Sequence, residues 1–175
     1  MLKKIISTSI FFFFALLAVG QKTADKSKDT KQIILFVCEH GAARSTIAAA
    51  YFNKLAKEKG LNYIAVFKGT DPDTVLTPGT AKGLVKDSFD ISGWTPKLVS
   101  PQDIKDAYKI VTFDCKLPTQ DSLSIPAEQW NGIPAISKDY NIARNEIVEK
   151  VNQLITELPK TQKKKAKKQK LNKSN

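Results

Sequence analysis

Residues 37–46 read V-C-E-H-G-A-A-R-S-T, and this stretch decides how the chain is interpreted. It follows an apolar run, residues 33–37, that is typical of a buried strand, and it precedes a helical pattern of apolar residues. The five residues between Cys38 and Arg44 can curl so that their backbone N–H groups point at one centre. The following helix N-terminus and the Arg44 guanidinium add positive charge there. The stretch therefore predicts a pocket for a tetrahedral oxyanion.

Cys38 opens this pocket and is the candidate nucleophile. A helix N-terminus and a neighbouring arginine favour the thiolate form of a cysteine, which is the reactive form. The alternative interpretation is a small buried residue that closes a strand; the Arg-Ser pair that follows favours catalysis. The candidate substrate-binding residues are those that enclose the anion, namely Glu39, His40, Gly41, Ala42, Ala43 and Arg44.

The two ends of the chain differ in composition from its middle. Residues 1–20 combine two lysines, an apolar stretch and small residues before Gln21, a layout typical of a secretory signal peptide. We therefore predict export to the periplasm or the medium, with membrane anchoring by an uncleaved signal as the alternative. Residues 21–31 have the polar composition of a linker, residues 32–159 that of one domain, and residues 160–175 that of a disordered Lys-rich tail.

The formal net charge of +11 arises at the chain ends. The tail carries eight of the 28 basic residues and residues 1–20 carry two, which leaves 18 basic against 17 acidic residues in between. The tail is a candidate for binding an anionic membrane surface or another polyanion, and its alternative role is to keep the protein soluble. No specific nucleic-acid partner is expected for the nearly neutral domain.

Strand and helix patterns alternate through the domain. Strands are predicted at residues 32–37, 62–67 and 108–113, with a short fourth one within 125–130, and helices at 45–59, 78–86, 101–107 and 140–158. This alternation predicts an α/β fold of three layers, in which helices cover both faces of a central four-stranded, mainly parallel sheet. Ligands of such sheets bind beyond the carboxyl ends of the strands, where Cys38 lies.

With these elements in place, the chain resembles the low-molecular-weight protein tyrosine phosphatases and their relatives, the thioredoxin-coupled arsenate reductases, over about residues 32–158. The resemblance rests on the C-x5-R-S loop, Gly69-Thr70, Pro78 and Ala81, FDIS at 89–92 and AYKIVTFD at 107–114. It implies the phosphotyrosine protein phosphatase I-like fold. In that family the cysteine attacks phosphorus, the arginine binds the equatorial oxygens, and the next serine hydrogen-bonds the thiolate. These roles carry over to Cys38, Arg44 and Ser45.

The sequence departs from the family pattern at the general acid. In the phosphatases this is an aspartate in an Asp-Pro loop before the last helix, whereas residues 130–134 here read W-N-G-I-P. The candidate replacements are Asp139, Asp114 and Asp71. Their alternative roles are to cap a helix, to tie down a loop and to form a turn, respectively. Gly41 replaces the asparagine of the family loop, and glycine also adopts the left-handed conformation that such a loop can need.

Three functions stay open from the sequence. One is a cysteine-dependent phosphatase that acts on a phosphorylated protein (phosphotyrosine) or a small aryl phosphate through a phosphocysteine intermediate. Another is an arsenate reductase that uses Cys38 and Cys115, and the third is a non-catalytic oxyanion-binding protein. The same two cysteines follow strands expected to be neighbours, so they are also a candidate redox switch. They lack metal-ligand spacing, and neither a metal nor a cofactor is predicted.

Overall fold

The computed structural model describes residues 30–118 and 125–159, which contain four strands and four helices. In chain order these are β1 (Gln32–Cys38), α1 (Arg44–Glu58), β2 (Tyr63–Gly69), α2 (Pro78–Lys86), α3 (Pro101–Asp106), β3 (Ala107–Phe113), β4 (Glu128–Gln129) and α4 (Tyr140–Glu157). Each lies close to its predicted position. The predicted signal peptide, most of the linker and the Lys-rich tail lie outside the described residues. Within those residues, no helix combines the length and the apolar character needed to cross a membrane.

The strands form one sheet in the order β2-β1-β3-β4, and every neighbouring pair is parallel. β1 is central, and its last residue, Cys38, pairs with Gly69 of β2 and Phe113 of β3. Three carboxyl ends therefore meet at one edge of the sheet. The predicted α/β fold is confirmed, and the edge predicted to bind ligands carries the cysteine.

Helices cover both faces of the sheet, as the alternation predicts. Ile34 and Phe36 of β1 belong to a large apolar cluster with α1 and α4, whereas Leu35 and Val37 belong to a smaller cluster with Ile104 of α3. All four β1 side chains are fully buried. Alternating side chains of one strand therefore anchor two layers, which makes β1 a firm base for the loop that follows Cys38.

A polar network behind the site joins α1, α2 and α4. Asp87, at the end of α2, accepts hydrogen bonds from Tyr51 of α1 (2.7 Å), Tyr140 of α4 (2.7 Å) and Arg144 of α4 (3.3 Å). Burial by itself would raise the pKa of Asp87, but these hydrogen bonds and the Arg144 charge outweigh it and lower the pKa. Gly83 lets α2 pack closely against α4, because the Tyr140 ring of α4 lies where a Cβ on residue 83 would be.

Candidate active site

In the loop that joins β1 to α1, the carbonyl oxygens accept hydrogen bonds from groups around the loop and not from its centre. We call residues 38–44 the oxyanion loop. Its carbonyl bonds are Thr70 N to Cys38 O (3.2 Å), Asp71 N to Glu39 O (2.8 Å), Asp73 N to His40 O (3.0 Å), Thr46 Oγ1 to Gly41 O (2.8 Å), Thr77 N to Ala42 O (3.1 Å) and Ile47 N to Ala43 O (3.0 Å). The N–H groups of residues 40–43 donate to no acceptor in the described part of the chain. These four N–H groups are therefore available to bind an anion.

Two glycines allow the end of β2 to brace the oxyanion loop. Gly41 has a φ of +62°, so the prediction that glycine takes a left-handed position here is confirmed. A Cβ on Gly69 would lie 2.8 Å from Glu39 O and 2.9 Å from Gly41 N. No side chain fits between these backbones. In the sequence, Gly69 stood out only through the resemblance. The pattern that could have indicated its role is a glycine at the end of the strand that pairs with β1.

Cys38 lies buried at the base of the loop, with its Sγ 3.1 Å from the hydroxyl oxygen of Ser45. Ser45 is fully buried and belongs to the first turn of α1. No side chain caps the first N–H groups of that helix, so its positive end stays available to a negative charge. A thiolate on Cys38 would therefore be stabilised by a hydroxyl donor and a helix N-terminus.

Arg44 is held by a carboxylate from the end of β3. Its Nη1 forms an ion pair with Oδ2 of Asp114, while the other oxygen of Asp114 accepts a hydrogen bond from Gly132 N (3.2 Å). Asp114 itself adopts a left-handed φ of +47°. Asp114 thus balances the charge of Arg44 and ties down the 130–134 stretch, which matches the tie-down alternative predicted for it.

Of the other two candidate acids, Asp139 has an engaged carboxylate, whereas the contacts of Asp71 are made by its backbone. Asp139 is the N-cap of α4, where its Oδ1 accepts hydrogen bonds from the N–H groups of Asn141 (2.7 Å) and Ile142 (3.1 Å). Asp71 lies in the turn after β2, and its carbonyl is 3.2 Å from Nδ1 of His40. The described residues contain no cluster of three or more His, Cys, Asp or Glu side chains suited to a metal ion.

The side chains of Glu39 and His40 are turned towards solvent, with exposed fractions of 65% and 53%. The imidazole of His40 is 3.7 Å from the carboxylate of Asp73 and 3.8 Å from that of Glu39. Both residues therefore contribute to the oxyanion loop through their backbone, while their side chains form an exposed cluster at its rim.

A cavity of about 600 Å³ opens beside Arg44. Its lining comprises Ala43 and Arg44, the start of α2 (Thr77, Pro78 and Gly79), and a segment that we call the cavity wall, Ile133, Ala135, Ile136 and Ser137. None of the described residues that line it carries a carboxylate. Sequence patterns did not indicate this wall, because its residues are apolar or small and lie in an irregular segment.

Cys115 lies two residues beyond the end of β3 and is half-buried. Its Sγ is 3.6 Å from the carbonyl of Val37, and it packs against the α3-side cluster, whereas Cys38 belongs to the α1-side cluster. Burial raises the pKa of Cys115 to about 11. At neutral pH this thiol is therefore protonated and weakly nucleophilic. The pairing of Cys38 with Cys115 stays a prediction.

The family model for low molecular weight phosphotyrosine protein phosphatase matches residues 33–125, just over half of the chain. The chain belongs to the low molecular weight phosphotyrosine protein phosphatase family. This match spans the oxyanion loop, Asp114 and Cys115, and it confirms the resemblance stated above. A search of curated proteins returned no match.

Solved structures of this family share the fold. YfkJ from Bacillus subtilis is 21% identical with a TM-score of 0.64, over 74% of this chain and 95% of that chain. A low molecular weight protein tyrosine phosphatase from T. tengcongensis is 19% identical with a TM-score of 0.57, over 73% and 100%. An arsenate reductase from Archaeoglobus fulgidus is 27% identical with a TM-score of 0.55, over 71% and 99%. Both activities named in the sequence analysis thus occur among the neighbours.

Proposed function

We propose that this family member is a cysteine-dependent phosphatase that hydrolyses phosphotyrosine or small aryl phosphates. The observation that carries the proposal is the contact of Cys38 with Ser45 beneath a loop whose carbonyl oxygens are all engaged elsewhere. The N–H groups of that loop and the Arg44 guanidinium are the donors for the phosphoryl oxygens.

The reaction has two steps. In the first, the Cys38 thiolate attacks phosphorus, an S–P bond forms, and the P–O bond to the leaving group breaks with its electron pair going to oxygen. In the second, water attacks the phosphocysteine, the S–P bond breaks, and inorganic phosphate leaves with the thiolate restored. Arg44 binds the equatorial oxygens in both steps, and Ser45 stabilises the thiolate.

The surroundings of Cys115 favour a phosphatase over an arsenate reductase. A reductase needs a second thiol to attack the adduct on Cys38, and Cys115 is half-buried in the opposite apolar cluster with a raised pKa. The arsenate reductase remains the second candidate, supported by the fold shared with the Archaeoglobus fulgidus enzyme and by the position of Cys115 after the neighbouring strand.

Two variants test the proposed mechanism. Cys38→Ser should abolish turnover of an aryl phosphate while it retains vanadate binding, because the thiolate performs the chemistry and the loop holds the anion. Arg44→Ala should lose both properties. Rapid acid quench of the wild-type protein should trap phosphate on Cys38, and arsenate with thiols should give no comparable turnover. Full phosphatase activity in Cys38→Ser, or arsenate reduction as the faster reaction, would contradict the proposal.

We also propose that the protein acts outside the cytoplasm and that its Lys-rich tail holds it near an anionic surface. The composition of residues 1–20 and the eight lysines after Pro159 support this. Sequencing the N-terminus of the protein from producing cells tests export, since cleavage should leave a new terminus near Gln21. Binding to vesicles rich in anionic lipid, with and without residues 160–175, tests the tail.

A further inference from the structure

The cavity beside Arg44 adjoins the oxyanion loop, and its wall is apolar. Ile133 and Ile136 are buried, with exposed fractions of 4% and 7%, and both line the cavity together with Ala135. The oxyanion loop borders this cavity through Ala43 and Arg44, so we infer that the leaving group of a phosphoester held by the loop lies on this side. Hydrocarbon side chains there supply no proton.

The polar groups nearest the cavity are unsuited to protonating a leaving group. The hydroxyl of Thr77 is hydrogen-bonded to that of Thr80 (2.7 Å), and aliphatic hydroxyls such as those of Thr77 and Ser137 are far weaker acids than a catalyst near neutral pH requires. Asp114 is paired with Arg44, and Asp139 caps α4. Both of these carboxylates are therefore engaged as acceptors, and Asp71, the third candidate, is not among the residues that line the cavity.

We propose that the site, taken as the phosphatase proposed above, selects phosphoesters whose leaving group departs as a stable anion. Acyl phosphates and aryl phosphates of acidic phenols form this class. The selection narrows the proposed function, because the phenol of tyrosine is a weak acid and phosphotyrosine should therefore react slowly. In the first step the S–P bond forms, the P–O bond breaks, and the carboxylate or phenolate leaves with the electron pair and without a proton. The apolar wall suits this departure because it accommodates the hydrocarbon part of such a group.

The same wall slows the second step. Water that attacks the phosphocysteine then loses its proton to solvent, because no carboxylate among the described residues lines the cavity to accept it. With an activated substrate, phosphorylation of Cys38 is therefore fast and hydrolysis slow. The phosphoenzyme accumulates, and the first turnover appears as a burst of released phenol.

A leaving-group series tests this selection. Single-turnover rates are measured for 2,4-dinitrophenyl, 4-nitrophenyl and phenyl phosphate, and acetyl phosphate is tested for phosphoenzyme formation. The rates should fall steeply as the phenol becomes less acidic, because general acid catalysis, typically worth about 10²–10⁴-fold, is missing. Equal rates for phenyl and dinitrophenyl phosphate would overturn the selection while leaving the phosphatase intact. No phosphoenzyme with any substrate would instead overturn the proposed function.

The variant Ile133→Asp adds a proton donor to the wall. It should raise the rate on phenyl phosphate by about 10²-fold or more, with much less gain on dinitrophenyl phosphate. Ile133→Asn is the matched control, since it has the same shape and no acidic proton, and it should lack the gain. An equal gain in both variants would contradict the inference. If neither variant folds, the wild-type series decides.

Three further replacements search for a hidden acid. Asp139→Asn, Asp114→Asn and Asp71→Asn are compared on phenyl and dinitrophenyl phosphate. None should slow phenyl phosphate selectively. A selective loss on phenyl phosphate in any one of them would identify a general acid and overturn the proposal.

Discussion

The two sides of the candidate active site are built in different ways. Five backbone N–H groups and the hydroxyl of Thr46 donate to the six carbonyls of residues 38–43 and fix the oxyanion loop, and the close approach of Gly69 braces it. The cavity wall is held by apolar packing and by the hydrogen bond from Gly132 to Asp114. The loop depends on backbone geometry that tolerates little change, whereas the cavity side depends on side chains that substitution can readily alter.

Among the variants that compare the two sides, Gly69→Ala should cause the largest loss of activity. Its Cβ would press on Glu39 O and Gly41 N, which are backbone atoms that must shift. A displacement of about 1 Å at a catalytic group can cost about 10²-fold, so we expect at least that loss in kcat/KM, with weaker vanadate binding.

The control for this variant is Gly79→Ala in α2, where a Cβ would lie 3.5 Å from Ile136 Cγ2, an ordinary contact. It should retain vanadate affinity and the free energy of unfolding. Near-wild-type activity in Gly69→Ala would show that the loop is less constrained than its packing indicates.

Asp114→Asn should have an intermediate effect, because Asp114 connects the two sides. Asparagine tolerates the left-handed φ of this position and can still accept a hydrogen bond from Gly132, but it removes the charge opposite Arg44. Hydrogen bonds to charged groups are worth about 1.5–3 kcal/mol, and exposure of part of the pair reduces this, so we expect about a tenfold loss in kcat/KM. Steady-state kinetics measures it. An increase in activity would instead mean that the pair restrains Arg44 from the substrate.

Asp87→Asn should lower the free energy of unfolding, because Asp87 belongs to the polar network behind the site, and it should leave the oxyanion loop intact. Losing the charged acceptor of Tyr51, Tyr140 and Arg144 should cost about 2 kcal/mol in the free energy of unfolding at pH 7. Vanadate affinity should stay within about threefold of the wild type.

The pH dependence follows from the lowered pKa of Asp87. A depressed folded-state pKa contributes stability that is fully present above the unfolded pKa of about 3.9 and is lost as the pH falls through the folded value. Urea unfolding from pH 6 to pH 2.5 should therefore show a smaller loss in Asp87→Asn than in the wild type. Parallel curves for the two proteins would contradict this role.

Cys115→Ser should have the smallest effect. Because burial raises the pKa of Cys115 to about 11, its thiol should alkylate slowly at pH 8 compared with Cys38, and the variant should retain steady-state phosphatase activity. Peroxide treatment with mass analysis tests the redox prediction separately. A reversible Cys38–Cys115 bridge supports a switch, and irreversible oxidation of Cys38 alone, unchanged in Cys115→Ser, rules it out.

The order and type of the elements were predictable because they depend on local patterns. The apolar run before Cys38, the stripe of α4 and the glycine that ends α1 each act within a few residues. The oxyanion loop was predictable for the same reason, since Cys38, Arg44 and Ser45 lie within eight residues.

The roles of two candidate acids, Asp139 and Asp114, needed the fold. From the sequence, each could be either a general acid or a structural residue. The contacts of Asp139 with the start of α4 show that it caps this helix. The contacts of Asp114 with Arg44 and Gly132 show that it ties down a loop. The cavity wall was likewise hidden, because its residues carry no chemical signature of their own.

The sequence by itself determined the sheet, the place of Cys38 at the end of β1 and the loop that follows it, because each is encoded by residues close together in the chain. Only the tertiary structure decided that Gly69 braces the loop, that Asp114 holds Arg44 from 70 positions away, and that Ile133 lines the cavity beside Arg44. These contacts arise when parallel strands bring their carboxyl ends to one edge, and no local pattern records which side chains meet there.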